Sequence, residues 1–123
     1  AGRLQKALPA ISLNAHTALY SAIANDIDAE IVFAQQVAGY GEKGDVLIAI
    51  STSGNSQNVI DAAITAKALG LTVIALTGQN GGKMKQYSDI AVCVPADNTA
   101  DVQEFHLPVY HTICKMVESW FYE

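Results

Sequence analysis

Three unbroken apolar runs constrain this chain more than any other feature: "VLIAI" (Val46–Ile50), "TVIALT" (Thr72–Thr77) and "IAVCVP" (Ile90–Pro95). None alternates apolar with polar residues, so none reads as a strand with one face in water. Strands covered on both faces in a parallel sheet read this way. Between the first two lies "SQNVIDAAITAKALG" (Ser56–Gly70), which predicts a helix with Val59, Ile60, Ala63 and Ile64 inward and Gly70 as its stop. Upstream, the pattern predicts a short strand over Pro9–Asn14 and helices over Ala15–Asn25 and Asp28–Tyr40. Downstream, Pro95 stops the third run, and a long helix is predicted from Thr99 to Glu123 with Val102, Phe105, Val109, Val117 and Trp120 among its apolar positions. Strands and helices alternating at this spacing imply βαβ units with right-handed crossovers. The fold class is therefore α/β, a three-layer αβα sandwich on a parallel sheet.

Composition narrows the partners. A chain of 123 residues fits one domain, and 50% hydrophobic with 15% charged residues describes a chain that folds. The net charge is −5 and the seven Lys and Arg are scattered, which argues against direct nucleic-acid binding. No apolar run approaches the ~20 residues of a membrane span, and no signal-peptide pattern opens the chain. Cys93 and Cys114 have neither metal-knuckle nor redox spacing. Both are expected to be buried, reduced packing residues, as suits a cytoplasmic protein.

The chemistry concentrates in "STSGNS", directly after the first apolar run. In open parallel sheets ligands bind beyond the carboxyl ends of the strands, and that is where this turn falls. Ser51, Thr52, Ser53 and Ser56 surround Gly54, with Ser56 at the expected N-cap of the following helix. Hydroxyls, free backbone N–H groups and the positive end of a helix together suit an anion, and a phosphate monoester in particular. No "GK[ST]" or "GxGxxG" is present, so neither a nucleotide P-loop nor a dinucleotide fingerprint is at hand. The competing reading is a serine-rich turn with an ordinary N-cap. A second polar loop, "TGQNGGKM" (Thr77–Met84), follows the next strand and is expected on the same rim.

Taken in order, "STSGNS", "ALTGQNGGKM" and "DVQEFHLPVYH" resemble the sugar isomerase (SIS) domain family, and within it the phosphoheptose isomerase branch. The resemblance runs from about Ala24 to the end of the chain and more loosely back to Gly2-Arg3. It implies a single SIS domain over residues 1–123, shortened on its N-terminal side. The implied activity is aldose–ketose isomerisation of sedoheptulose 7-phosphate to D-glycero-D-manno-heptose 7-phosphate, for heptose of lipopolysaccharide or S-layer glycan. The resemblance further implies a cytoplasmic homotetramer with interfacial active sites. It assigns phosphate binding to Ser51, Thr52, Ser53 and Ser56, and sugar contacts to Asn25 and Asp26. Gln103 matches a residue that contacts substrate and zinc, His111 a zinc ligand and acid/base group, and Asp101 an acidic residue near that site. An upstream helical part, a "GNGGS"-like loop and a helix bearing His and Glu, which supply the base and two further zinc ligands, are not among these residues. The 123 residues alone are therefore expected not to turn over, with part of the sheet and the last helix left uncovered. Other SIS proteins are non-catalytic, among them a regulator of replication initiation and phosphosugar-sensing modules. Histidine at position 111 favours the enzyme, because the regulator lacks one there.

Such an isomerisation needs a group that shuttles a proton between adjacent carbons and donors that stabilise the enediolate oxygens. A phosphate grip supplies orientation, and a metal polarises the carbonyl. Of the three histidines, His16 and His106 have no motif support and are expected to be structural or solvent-facing. Gln103 and His111 are separated by ~12 Å along an ideal helix and ~80° around it. Bringing both to one ion requires a local bend at Pro108 or ligands from neighbouring subunits.

Overall fold

The structure is a computed structural model that describes residues 4–122. Gly2, Arg3 and Glu123 lie outside the described residues. Strands β1 (Val46–Ile50), β2 (Thr72–Thr77) and β3 (Ile90–Cys93) form one sheet in the order β1-β2-β3. Both pairings are parallel; Ile48 faces Ile74, and Ile74 faces Ile90. Helices α1 (Thr17–Asp26) and α2 (Val32–Tyr40) precede the sheet, with a 3-10 turn at Ala29–Ile31 between them. Helix α3 (Gln57–Ala68) crosses from β1 to β2, a 3-10 segment (Gly82–Tyr87) from β2 to β3, and α4 (Thr99–Tyr122) ends the described chain. The α/β class and parallel sheet are those the apolar runs predict.

The core lies on one face of the sheet. Ala49, Val73 and Ala75 point into it and meet Val37 of α2, Ile60, Ala63 and Ala66 of α3, and Met84. Small residues on strand and helix let α3 sit close to the sheet, which is why this layer is alanine-rich. Gln36, buried in α2, donates to the carbonyls of Val32 and Leu13 and ties down the segment before α1. His16 caps α1 by accepting from the Leu19 N–H, a structural role as expected.

The opposite face differs from the reading of "VLIAI" as covered on both sides. Val46, Ile48, Ile50 and Ile90 are 56, 48, 49 and 54% exposed. Helices α2 and α3 pack on the other face, against Ala49, Val73 and Ala75. Helix α4 also carries an exposed apolar series that includes Phe105, Met116, Trp120 and Phe121. Three smaller expectations are corrected. Pro9–Asn14 forms no strand, because Ser12 begins a turn to Ala15 and only Leu13 of the segment packs against the core. Ile64 faces solvent on α3, one position round from the Ile60–Ala63 stripe. Cys114 is exposed and Cys93 half-buried; both are free thiols.

One ion pair fastens the crossover. Asp89, just before β3, accepts from the Val73 N–H at 2.7 Å and pairs with Lys67 of α3. The Lys67 hydrogen bond first, and the Val73 N–H second, hold the Asp89 carboxyl below its ordinary value of 3.8. A carboxylate with a depressed folded pKa adds stability above the unfolded value and loses it as pH falls through the folded one. Asp89→Asn is expected to lower Tm at pH 7, with the gap from wild type closing below about pH 4. Thermal melts of both proteins across pH 3–7 check this; a gap independent of pH would assign the effect to packing.

Candidate functional site

Parallel pairing delivers the chain after β1, after β2 and after β3 to one rim, and hydrogen bonds join the three loops there. After β1, Ser51 is buried, and its Oγ accepts from the Gly54 N–H at 3.1 Å while donating to Ser56 Oγ at 3.0 Å. That hydroxyl closes the turn from inside. Ser53 is exposed, its Oγ accepting from the Asn55 N–H, and Thr52 is half-buried. Ser56 occupies the N-cap of α3, but its side chain makes no capping bond. Within the first turn of this twelve-residue helix the Val59 N–H donates to Asn58 Oδ1 at 2.8 Å, so the N–H groups of Gln57 and Asn58 stand beside three outward hydroxyls, with no charged residue in the loop.

The loop after β2 locks onto this turn. Gly78 N–H donates to the Thr52 carbonyl at 3.0 Å, Met84 N–H to the Gly54 carbonyl at 2.8 Å, and Lys83 N–H to Asn55 Oδ1 at 2.9 Å. Gly54 and Gly82 both have positive φ, at 71° and 55°. A Cβ on Gly54 would lie 2.1 Å from the Gly81 carbonyl oxygen, so the two loops touch only because both carry glycine. Beside this junction an open cleft of about 510 Å³ is lined by Asn55, Gly82, Lys83, Lys85 and Gln86.

The third loop leads into α4. Gln79 N–H donates to the Ala96 carbonyl at 2.9 Å. Asn98 caps the helix, accepting from the Asp101 N–H at 3.0 Å and donating to the Asp101 carboxylate at 2.7 Å. Val102, fully buried, packs against Gly78, and His106 Nε2 donates to the Thr77 carbonyl at 2.9 Å. Gln103 and His111 are exposed on α4, the His111 ring edge-on to Tyr110 at 5.1 Å.

The expected residues thus fall into three groups. Ser51, Thr52, Ser53 and Ser56 share one turn, and Asp101 stands at the neighbouring start of α4. Gln103 and His111 project from α4 into solvent. Asn25 and Asp26 are exposed at the end of α1, which packs on α2 and the Ala29–Ile31 turn; no hydrogen bond joins them to the hydroxyl turn. The residues do not complete a metal site. Helix α4 runs continuously through Pro108, so Gln103 and His111 keep their ~12 Å axial separation. Among the described residues no group of three or more His, Cys, Asp or Glu side chains is placed to hold an ion. Asn55 and Asn98, which bind loop to loop and loop to helix, were not singled out by the sequence. The capping spacing of Asn98 to Asp101 was the signal available for the second.

A family model described as "SIS domain" matches residues 1–78. The phosphoheptose isomerase of Helicobacter pylori (strain HPAG1) is 51% identical over 117 residues, which are 95% of this chain and 61% of that protein. The phosphoheptose isomerase of Nitratiruptor sp. is 45% identical, over 98% of this chain and 66% of its own length. Among solved structures, a phosphoheptose isomerase from Francisella tularensis superimposes with a TM-score of 0.90 at 38% identity, covering 94% of this chain and 62% of that one. That from Neisseria gonorrhoeae gives 0.84 at 42% identity, over 87% and 61%. The chain spans about three-fifths of the length of the first of these relatives. Because the family model runs unbroken through β1, the hydroxyl turn, α3 and β2, the chain belongs to the SIS domain family.

Proposed function

We propose that this chain belongs to an aldose–ketose isomerase that interconverts sedoheptulose 7-phosphate and D-glycero-D-manno-heptose 7-phosphate, supplying heptose for a surface glycan such as lipopolysaccharide. The observation that carries the reading is the uncharged hydroxyl turn, closed from within by Ser51 and opened outward at a helix start where Ser56 makes no capping bond. The phosphoheptose isomerases to which the chain is similar support the choice of substrate.

In this reading Thr52, Ser53 and Ser56, with the first N–H groups of α3, hold the phosphate. Ser51 shapes the turn from inside it. Asn25 and Asp26 hydrogen-bond sugar hydroxyls contributed across a subunit boundary, and Asp101 orders the start of α4 beside the site. His111 moves a proton between the sugar oxygens as the hydrogen on one carbon passes to its neighbour. Gln103 donates from its amide to the enediolate. A zinc ion, when bound, would polarise the carbonyl; because the straight α4 keeps Gln103 and His111 apart, they would reach one ion from neighbouring subunits, with donors outside the described residues supplying the rest. The exposed apolar series on α4 supports a homotetramer with interfacial sites. The free thiols of Cys93 and Cys114 suit a cytoplasmic location. No helix among the described residues is long and apolar enough to cross a membrane.

Three outcomes are expected in the full-length protein. Ser53→Ala with Ser56→Ala removes two phosphate-directed bonds of about 1.5–3 kcal/mol each and raises Kd for sedoheptulose 7-phosphate by about 100-fold or more. Isothermal titration measures it, and unchanged affinity would remove the turn from phosphate binding. Gly54→Ala forces the two loops apart and is expected to cost about 1–3 kcal/mol of stability together with phosphate affinity, read by denaturant melts and the same titration. His111→Ala is expected to lower turnover at least ~100-fold with little change in Kd. Wild-type turnover by a stable His111→Ala protein would leave a binding protein as the better reading.

A further inference from the structure

Helix α4 carries Asp101, Gln103 and His111, yet of its 24 residues only Val102 and His106 are buried. These two are four apart on one stripe and make the contacts of the helix with the end of β2, while at its far end the Tyr122 hydroxyl donates to the Lys6 carbonyl. Val102 supplies shape against Gly78. His106 supplies the directional contact, its Nε2 2.9 Å from the carbonyl of Thr77, the last residue of β2.

That carbonyl also accepts the Val94 N–H at 3.1 Å, where the pairing of β2 with β3 ends. The next residue, Gly78, donates its N–H to the Thr52 carbonyl in the hydroxyl turn. A path of four residues therefore links α4 to the phosphate grip: His106, Thr77, Gly78, Thr52. A carbonyl partner requires the imidazole proton on Nε2, and the buried Nδ1 then has no partner among the described residues. A leucine would fill this space without leaving a polar atom unmatched. A buried imidazole with one satisfied nitrogen is accounted for by what that one bond fixes.

We infer that His106 is a positioning residue, which sets the height and rotation of α4 against the end of β2 and so the distance from the bound phosphate to Gln103 and His111. This rests on the isomerase reading above. The substrate is gripped at its phosphate and altered at the far end of its carbon chain, so an error in α4 placement falls on the reacting atoms and spares the grip. A misplacement of about 1 Å is worth on the order of 10²-fold in rate.

The test compares His106→Leu, which fills the space but cannot donate, with His106→Gln, whose Nε2 amide can reach the same carbonyl. In the full-length protein His106→Leu is expected to lose between about 10- and 100-fold in kcat for sedoheptulose 7-phosphate. Its KM and its Kd for inorganic phosphate should stay within about twofold of wild type, because the hydroxyl turn is intact. His106→Gln should recover most of the lost kcat. Wild-type kcat in the Leu variant, or equal losses in both variants, would overturn the inference. A second readout does not depend on turnover: amide hydrogen exchange over residues 99–111 should be faster in the Leu variant and close to wild type in the Gln variant. If wild-type protein fails to isomerise the sugar, the isomerase reading falls. The exchange comparison then still decides the anchor, and equal exchange in the two variants would reject it.

Discussion

Parallel pairing of three strands that are consecutive in sequence is the constraint on which everything else rests. Because β1, β2 and β3 point the same way, β2 and β3 must each be reached by a crossover, and all three carboxyl-end loops are forced onto one rim. The rim is then a place where polar backbone converges without regular partners. The loops satisfy one another through Gly78 to Thr52, Met84 to Gly54 and Gln79 to Ala96. Glycine at 54 and 82 follows from that convergence, since two backbones at such close approach leave no room for a Cβ. The hydroxyl turn keeps its shape because its neighbours hold it, and Ser51 is internal for the same reason.

The sheet also explains the asymmetry of the chain. One face is sealed by an alanine-lined contact between α3 and the strands, where close packing rather than bulk carries the burial. The other face leaves Val46, Ile48 and Ile50 half-exposed in a row, and most of the apolar side chains of α4 lie open as well. Patches of this size on one chain mark surfaces built to be covered.

How much was legible in the sequence follows the same division. Continuous apolar runs gave the strands within a residue or two, since a β-strand buried on a parallel sheet has few ways to read otherwise. Periodicity and end signals gave helices over Ala15–Asn25, Asp28–Tyr40, Ser56–Gly70 and Thr99–Glu123, and the structure has them at Thr17–Asp26, Val32–Tyr40, Gln57–Ala68 and Thr99–Tyr122. Pro9–Asn14 was not legible, because six residues of mixed polarity cannot declare whether a sheet edge awaits them. Side-chain direction was harder: Ile64 and Cys114 are apolar on helices whose inward stripe is narrower than their apolar content. At the site, the clustering of Ser51 to Ser56 was visible as composition. The division of labour within it was not, since nothing in four hydroxyls tells which one turns inward. His106 was legible only as a histidine without a motif, because its partner is a main-chain carbonyl 29 residues away.

Under the proposed reaction, substrate and product carry the same phosphate, so the hydroxyl turn holds both equally. Binding that is equal in ground and transition states lowers KM without raising kcat. The grip is also free of fixed charge: its donors are hydroxyls and N–H groups, with Lys83 and Lys85 set to one side in the neighbouring cleft. Such a grip orients strongly and releases readily, as a reversible isomerisation requires. Rate must then come from groups that act only on the developing enediolate, the part the proposal gives to Gln103 and His111 of α4. The helix meets the end of β2 at Val102 and His106, so under that proposal catalytic precision depends on two contacts more than on the many that hold the phosphate.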